Sequence, residues 1–362
     1  MLDKTINELL KKESITDISF NGTDIYIQDN EIGKYKLNET ILETDVLQYI
    51  KNLANKNNKE FNVEHPIIDF VYQDYRINAN HKSISPYGMT FSLRRGLPNI
   101  KIKEETLGPN EMFYLLDVLI KSKCNILISG KTGSGKTELQ KYLVKYIKTN
   151  EKIIVIEDTL DTQLKKIYKN KDIMSYITNK ELETQINFDD LIKSSLRNNP
   201  DWILISEVRG SEAYQMIKSA LSGHSIITTL HSTDASSNVN RLIHLCKEKY
   251  DLDQVLLGKM ISDIFDIGIH LDYEIKNGIN RFIVKIVEYV DYDLKGAKTK
   301  TLFERKTIIT KKEKQFFYNP YYEYGTISKK LLKKIIDNKM INNKILKFID
   351  GRDLDETLSK TN

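Results

Sequence analysis

Three observations predict an α/β fold in two parts, with a mostly parallel sheet in the larger one. First, four short, continuous apolar runs, Asn125–Ser129, Ile153–Ile156, Trp202–Ile205 and Ile226–Thr229, are separated by segments of helical periodicity. Strands buried on both faces of a parallel sheet read this way. Second, residues 1 to 95 carry short runs rich in β-branched and aromatic residues around one helical stretch, the pattern of a small α+β unit. Third, 362 residues exceed what one ordinary core holds.

In the first domain, taken as 1–95, Ile15–Phe20 and Ile25–Gln28 read as strands around the turn pair Asn21-Gly22. Glu43–Asn55 reads as a helix with Val46, Ile50 and Leu53 on one face. Ile67–Tyr72, Tyr75–Asn80 and Thr90–Arg94 read as further strands. Gly96 and Pro98 punctuate a linker over 96–108, and helical periodicity resumes near Glu111 inside a larger domain over 109–290. Phe282–Tyr289 and Thr301–Thr310 are strand-like, the charge cluster Lys311–Lys314 reads as a solvated turn, and Ser328–Phe348 reads as helical, so strands and a basic helix form an extension over 291–362. Leu331, Leu332, Ile335 and Ile336 recur at helical spacing among lysines. This helix either packs on the core or meets an anionic membrane or acidic partner.

Hydrophobic residues at 40% and charged residues at 29% make a globular composition, and a net charge of +5 is too small to demand nucleic acid. Cys124 and Cys246 exclude a disulfide framework and a four-cysteine zinc site, and suit a reducing compartment. The amphipathic start, MLDKTINELLKKES, has no apolar core of a signal peptide, and no apolar run approaches the roughly 20 residues that span a bilayer. The expectation is a cytoplasmic protein, at most peripheral to a membrane.

Gly130-Lys131-Thr132-Gly133-Ser134-Gly135-Lys136-Thr137 fits GxxxxGK[ST], after a predicted strand and before a predicted helix, Glu138–Lys148. The glycines let the backbone wrap closely, so that its N–H groups point at phosphate oxygens, and the helix N-terminus adds unpaired donors. Lys136 reaches the β- and γ-phosphates of ATP, and the Thr137 hydroxyl is a ligand for Mg²⁺. The spacing does not fit a dinucleotide-binding G-x-G-x-x-G.

Two more predicted strands end in acids, Glu157 and Glu207, at the carboxyl edge where such sheets bind ligands. One is expected to polarise the attacking water and the other to hold Mg²⁺ through water. His231 ends the next strand at the same edge, placed to sense the γ-phosphate, while His224 lies at the opposite end.

The motifs in order, Gly130–Thr137, Glu157-Asp158, Ser195–Asp201, Ile203–Glu207 leading to Arg209-Gly210, and Gly223–His231, resemble those of the secretion ATPases. That superfamily powers type II and type IV secretion, type IV pili and tight-adherence pili. The resemblance covers about residues 100 to 245. It implies Glu157 as general base and Glu207 as the acid that holds Mg²⁺ through water, with Ser206 where the family has Gly. It also implies nucleotide contacts for Arg76, Arg94, Arg197 and Arg209. The absence of a zinc insert and the short first domain leave the conjugation-type enzymes, the tight-adherence enzymes and the retraction motors, and Arg209-Gly210 with the Ser-Glu-Ala-Tyr that follows favours the first two.

The combined expectation is a small α+β domain followed by a RecA-like P-loop ATPase domain. It hydrolyses ATP with Mg²⁺ as a homo-oligomeric ring, most simply a hexamer, with inner-membrane secretion or pilus proteins as partners. Direct nucleic-acid binding is not expected. Two rivals stay open: a RecA-like nucleic-acid translocase, and a nucleotide-gated scaffold that does not hydrolyse.

Overall fold

The computed structural model describes residues 2–73, 75–96, 98–179, 185–276, 278–312 and 315–359. Leu97 of the expected linker, and Glu313 and Lys314 of the charge cluster, lie outside them. The chain forms two compact units. The first is Met1–Pro98 with Thr159–Gln163 and Glu274–Asn280; the second is Asn99–Asp158 with Leu164–Tyr273 and Arg281–Asn362.

The first unit is α+β. Strands β1 (Ile15–Phe20), β2 (Ile25–Asp29), β3 (Gly33–Lys36), β4 (Ile67–Tyr72), β5 (Tyr75–Asn80) and β6 (Thr90–Arg95) form an antiparallel sheet in the order β3-β2-β1-β6-β5-β4. Gly22 turns the β1–β2 hairpin at φ +104°, and a Cβ there would lie 2.5 Å from the Tyr87 carbonyl oxygen. The predicted face Val46, Ile50 and Leu53 of helix Glu43–Lys56 is buried together with Ile18, Phe20, Ile77 and Phe91. That stripe at i, i+4 and i+7 drives the helix onto the sheet.

The second unit is RecA-like. Its strands are β7 (Ile126–Gly130), β8 (Ile153–Glu157), β9 (Ile173–Ile177), β10 (Trp202–Ile205), β11 (Ser225–Leu230), β12 (Ile267–Ile275), β13 (Ile279–Asp293), β14 (Gly296–Lys312) and β15 (Gln315–Tyr324). They run in the order β15-β14-β13-β12-β7-β11-β10-β8-β9, and each neighbouring pair from β12 to β9 is parallel. Alternate residues feed two cores. Ile126, Ile128, Ile153, Val155, Trp202 and Leu204 enter one, and Leu127, Ile154, Ile156, Ile203 and Ile205 the other. Each such side chain contributes about 1.5–3 kcal/mol by leaving water, and this is why the strands read as unbroken apolar runs. The Trp202 indole N–H donates to Glu151 Oε2 at 2.8 Å, so its polar atom is satisfied inside the core.

The structure corrects several sequence expectations. The helix after β7 runs Lys136–Leu143 and tightens into a 3₁₀ turn, Val144–Tyr146, rather than starting at Glu138. Buried Gln140 anchors it by donating to the Ile205 and Ile227 carbonyls, both at 2.9 Å. Ser328–Phe348 is not one helix. Helix Lys329–Asp337 stops where Lys339 turns left-handed at φ +58°, and a 3₁₀ segment, Asn343–Phe348, follows. Its apolar face, Leu331, Leu332 and Ile335, is buried in the core shared with β7, while Lys334 pairs with Asp266 at 2.7 Å. β3, β9, β12 and β15 were not expected.

Candidate functional site

The site grows out of β7. Its five residues are buried, and the chain then turns through positive φ at Gly130 (+151°), Gly133 (+82°) and Gly135 (+92°). A Cβ at Gly130 would lie 2.5 Å from both the Leu271 carbonyl oxygen and Ser134 Oγ, so only glycine allows this path. Gly135 caps the following helix with no side-chain bond, which leaves first-turn N–H groups for an anion. Lys136 is only 8% exposed; its Nζ donates to the carbonyls of Gly130 (2.9 Å) and Lys131 (3.2 Å). Ser134 Oγ is buried without a partner among the described residues. Thr137 is half-buried one residue into the helix, while Lys131 and Thr132 are exposed.

The acids arrive by register. β8 and β10 pair in parallel with Ile156 opposite Ile205, and the Ser206 N–H continues the ladder to the Ile156 carbonyl at 3.0 Å. Glu157, fully buried, therefore lies in line with Ser206, one residue short of Glu207. The Val208 N–H donates to the Thr229 carbonyl at 2.9 Å, tying this segment to β11, at whose end His231 lies.

Lys136, His231, Glu207 and Arg209 form a chain. Lys136 Nζ lies 3.4 Å from His231 Nδ1, and His231 Nε2 lies 3.0 Å from Glu207 Oε1, close enough for a charge contact but off the line of a hydrogen bond. Arg209 Nη2 donates to Glu207 Oε2 at 2.8 Å, and its Nη1 lies 4.0 Å from Asp158 Oδ2. Burial raises the Glu207 carboxyl, but the Arg209 hydrogen bond and charge, with His231 and Lys136, outweigh it and hold it below the usual range. Burial and then the Lys136 charge lower the His231 imidazole, with Glu207 opposing. Burial also lowers the Lys136 ammonium. A neutral imidazole in the Nε2–H tautomer accepts from Lys136 at Nδ1, and Glu207 Oε1 stands beside its Nε2 without a hydrogen bond.

These signs predict a titration. The His231 resonance followed by NMR should show a pKa below the usual histidine range. Lys136→Met should move it up by removing a cation, and Glu207→Gln should move it down by removing the opposing charge. Shifts in the reverse sense would break the proposed coupling.

Arg209, at the open end of this chain, is 61% exposed in its side chain. The remaining sequence candidates have partners of their own or stand at the surface of their units. Arg197 is exposed at the C-cap of helix Phe188–Leu196. In the first unit, Arg76 pairs with Asp69 at 2.9 Å and Arg94 with Asp17 at 3.0 Å. His224 stays at the opposite end of β11, against Ser222 Oγ at 3.1 Å. Sequence reasoning missed His270, Asp272, Tyr273 and Arg281, which line the loop from β12 and β13. Alternating Ile267, Ile269 and Leu271 carried a strand signal that could have found the first three. Among the described residues, no group of three or more His, Cys, Asp or Glu is arranged to hold a metal ion, and no helix is long and apolar enough to cross a membrane.

Residues 90–265 match the family model described as type II/IV secretion system protein. An uncharacterised Bacillus anthracis protein is 36% identical over 83% of this chain and 70% of its own length. The type IV secretion system protein VirB11 of Bartonella quintana is 36% identical over 47% of this chain and 49% of its own length, so the chain spans about half of that relative. Among solved structures, the Legionella pneumophila ATPase DotB superposes with a TM-score of 0.57 at 19% identity, covering 79% of this chain and 80% of that one, a likeness of fold.

Proposed function

The chain belongs to the type II/IV secretion ATPase superfamily, and from that premise we propose that it is a Mg²⁺-dependent ATPase. In this reading it works as a homo-oligomeric ring, most simply a hexamer, at the cytoplasmic face of a membrane. There it powers secretion, pilus assembly or conjugative transfer with inner-membrane proteins as partners. The observation that carries the reading is the chain Lys136–His231–Glu207 at 3.4 and 3.0 Å, closed around the phosphate-type loop.

The residues fit a nucleotide phosphate. Three glycines at positive φ, a buried Ser134 hydroxyl without a partner among the described residues, and an ammonium folded onto two loop carbonyls suit an anion. They fit Mg²⁺ only in part: Thr137 and Glu207 supply oxygens, and the rest of the shell must be phosphate and water, which suits this small hard cation. Mg²⁺, when bound, neutralises phosphate charge.

In this reading Lys136 swings from the Gly130 and Lys131 carbonyls to the β- and γ-phosphates. Glu157, buried and aligned with Ser206, takes the proton of the attacking water. Glu207 holds Mg²⁺ through water, steadied by Arg209, and His231 reports the γ-phosphate through its contact with Glu207. Arg76, Arg94 and Arg197 neutralise phosphate charge on closure or from a neighbouring subunit. Phosphate release by the wild-type chain, measured with and without DNA and lipid vesicles, tests the reading. Mg²⁺-dependent release that DNA leaves unchanged supports it. Release only with DNA favours the translocase, and tight ATP binding without release favours the scaffold.

A further inference from the structure

The loop that holds Lys136 is itself held from outside. β12 pairs in parallel with β7, placing His270 opposite Ser129 and Leu271 opposite Gly130. From there every second residue of the loop meets a side chain of β12 or β13. Ser129 Oγ lies 3.0 Å from His270 Nδ1. Lys131 pairs with Asp272 at 2.7 Å and stands 4.7 Å over the Tyr273 ring. Arg281 Nε donates to the Gly133 carbonyl at 3.2 Å. A Cβ on Gly135 would come within 2.6 Å of Arg281 Cδ, so the arginine stem closes that side of the loop.

These contacts differ in weight. Lys131 and Asp272 are exposed by 57% and 38%, and such a pair contributes little in water. Arg281 is half-buried; burial lowers its guanidinium, with Glu138 and Tyr273 opposing. Its bond also acts on geometry. In a trans peptide the C=O and the following N–H point in opposite directions. Holding the Gly133 carbonyl on one side therefore sets the Ser134 N–H on the other, where it closes the turn to the Lys131 carbonyl at 3.2 Å. That bond fixes the path of residues 131–134, the stretch of the loop that must wrap a phosphate.

We propose that Arg281 is a positioning residue for the phosphate loop: through the Gly133 carbonyl it presets the loop's path for the phosphates of a bound nucleotide. This rests on the nucleotide reading given above. Arg281 acts on the loop rather than on the γ-phosphate, so its loss weakens ATP and ADP alike.

The test uses the full chain and two variants. Arg281→Met keeps the stem against Gly135 and removes the donor; Arg281→Lys keeps both a stem and a donor. Affinities for fluorescent ATP and ADP are measured, together with the melting temperature of the nucleotide-free protein. Arg281→Met should bind both nucleotides about tenfold more weakly, the scale of one lost hydrogen bond. Arg281→Lys should stay within about threefold of wild type on the same scale. Melting of the free protein should not change. Wild-type affinity in the Met variant overturns the inference, as does equal loss in both variants or a fall in free-protein melting, which would make Arg281 a packing residue. Failure of the wild-type chain to bind either nucleotide overturns the underlying reading, and the inference with it.

Discussion

Lys136→Ala should reduce phosphate release by at least about a hundredfold, the scale of losing one fixed positive donor at a developing charge. It should leave the nucleotide-free fold nearly unchanged. The ammonium now donates to the Gly130 and Lys131 carbonyls at 2.9 and 3.2 Å. Hydrogen bonds to a charged group are worth about 1.5–3 kcal/mol each in a favourable case. Against that stands the cost of burying the ammonium, which is large enough to lower its pKa although the Glu207 carboxylate is near. The two effects oppose each other, so net stability should move by no more than about 1–2 kcal/mol, or a few degrees of melting in a domain this size. Phosphate release and thermal melting, measured on the same preparation, check both halves. Wild-type turnover in the variant would sink the ATPase assignment. Collapse of the free fold would show that Lys136 is needed for structure.

How much of this was legible depended on how local the determinants are. β7, β8, β10 and β11 could be read because both faces are buried, so every residue reports the same environment. The loop could be read because its glycines serve a backbone path set within eight residues. The acids could be read because register places strand ends side by side. What could not be read lies far along the chain. Arg281 meets Gly133 from 148 residues away, and nothing in its local sequence marks it. Arg94 likewise meets Asp17 on β1 from 77 residues away, whereas Arg76 pairs with Asp69 only seven residues back, across the β4–β5 hairpin. β15, with Pro320 and exposed Phe316, Phe317 and Tyr318, occupies a sheet edge, where burial leaves little pattern to follow. The C-terminal helix was misjudged in length because its lysine run continues the helical composition past the residue, Lys339, where the backbone turns left-handed.

Glu157→Gln and Glu207→Gln should each stop turnover, but for different reasons that one titration separates. Both substitutions keep shape and remove a charge. Glu157 is fully buried at the end of β8, aligned with Ser206. As the base, it contributes through proton transfer, typically worth about a hundredfold to ten-thousandfold. Its loss should lower the rate at every Mg²⁺ concentration and leave nucleotide affinity unchanged. Glu207 is held ionised by Arg209 at 2.8 Å and faces His231 at 3.0 Å. As the group that holds Mg²⁺ through water, its loss should raise the Mg²⁺ concentration needed for half-maximal release, and part of the rate should return when the ion is in excess. Phosphate release across a Mg²⁺ titration, with fluorescent-nucleotide binding as control, distinguishes the two acids. A Glu157→Gln variant rescued by Mg²⁺, beside a Glu207→Gln variant that is not, would exchange their roles. Normal turnover in either variant would remove that acid from the chemistry. The geometry is consistent with the assignment as given: His231 stands between Glu207, at 3.0 Å, and Lys136, at 3.4 Å, the residue that in the proposed reading meets the same phosphates.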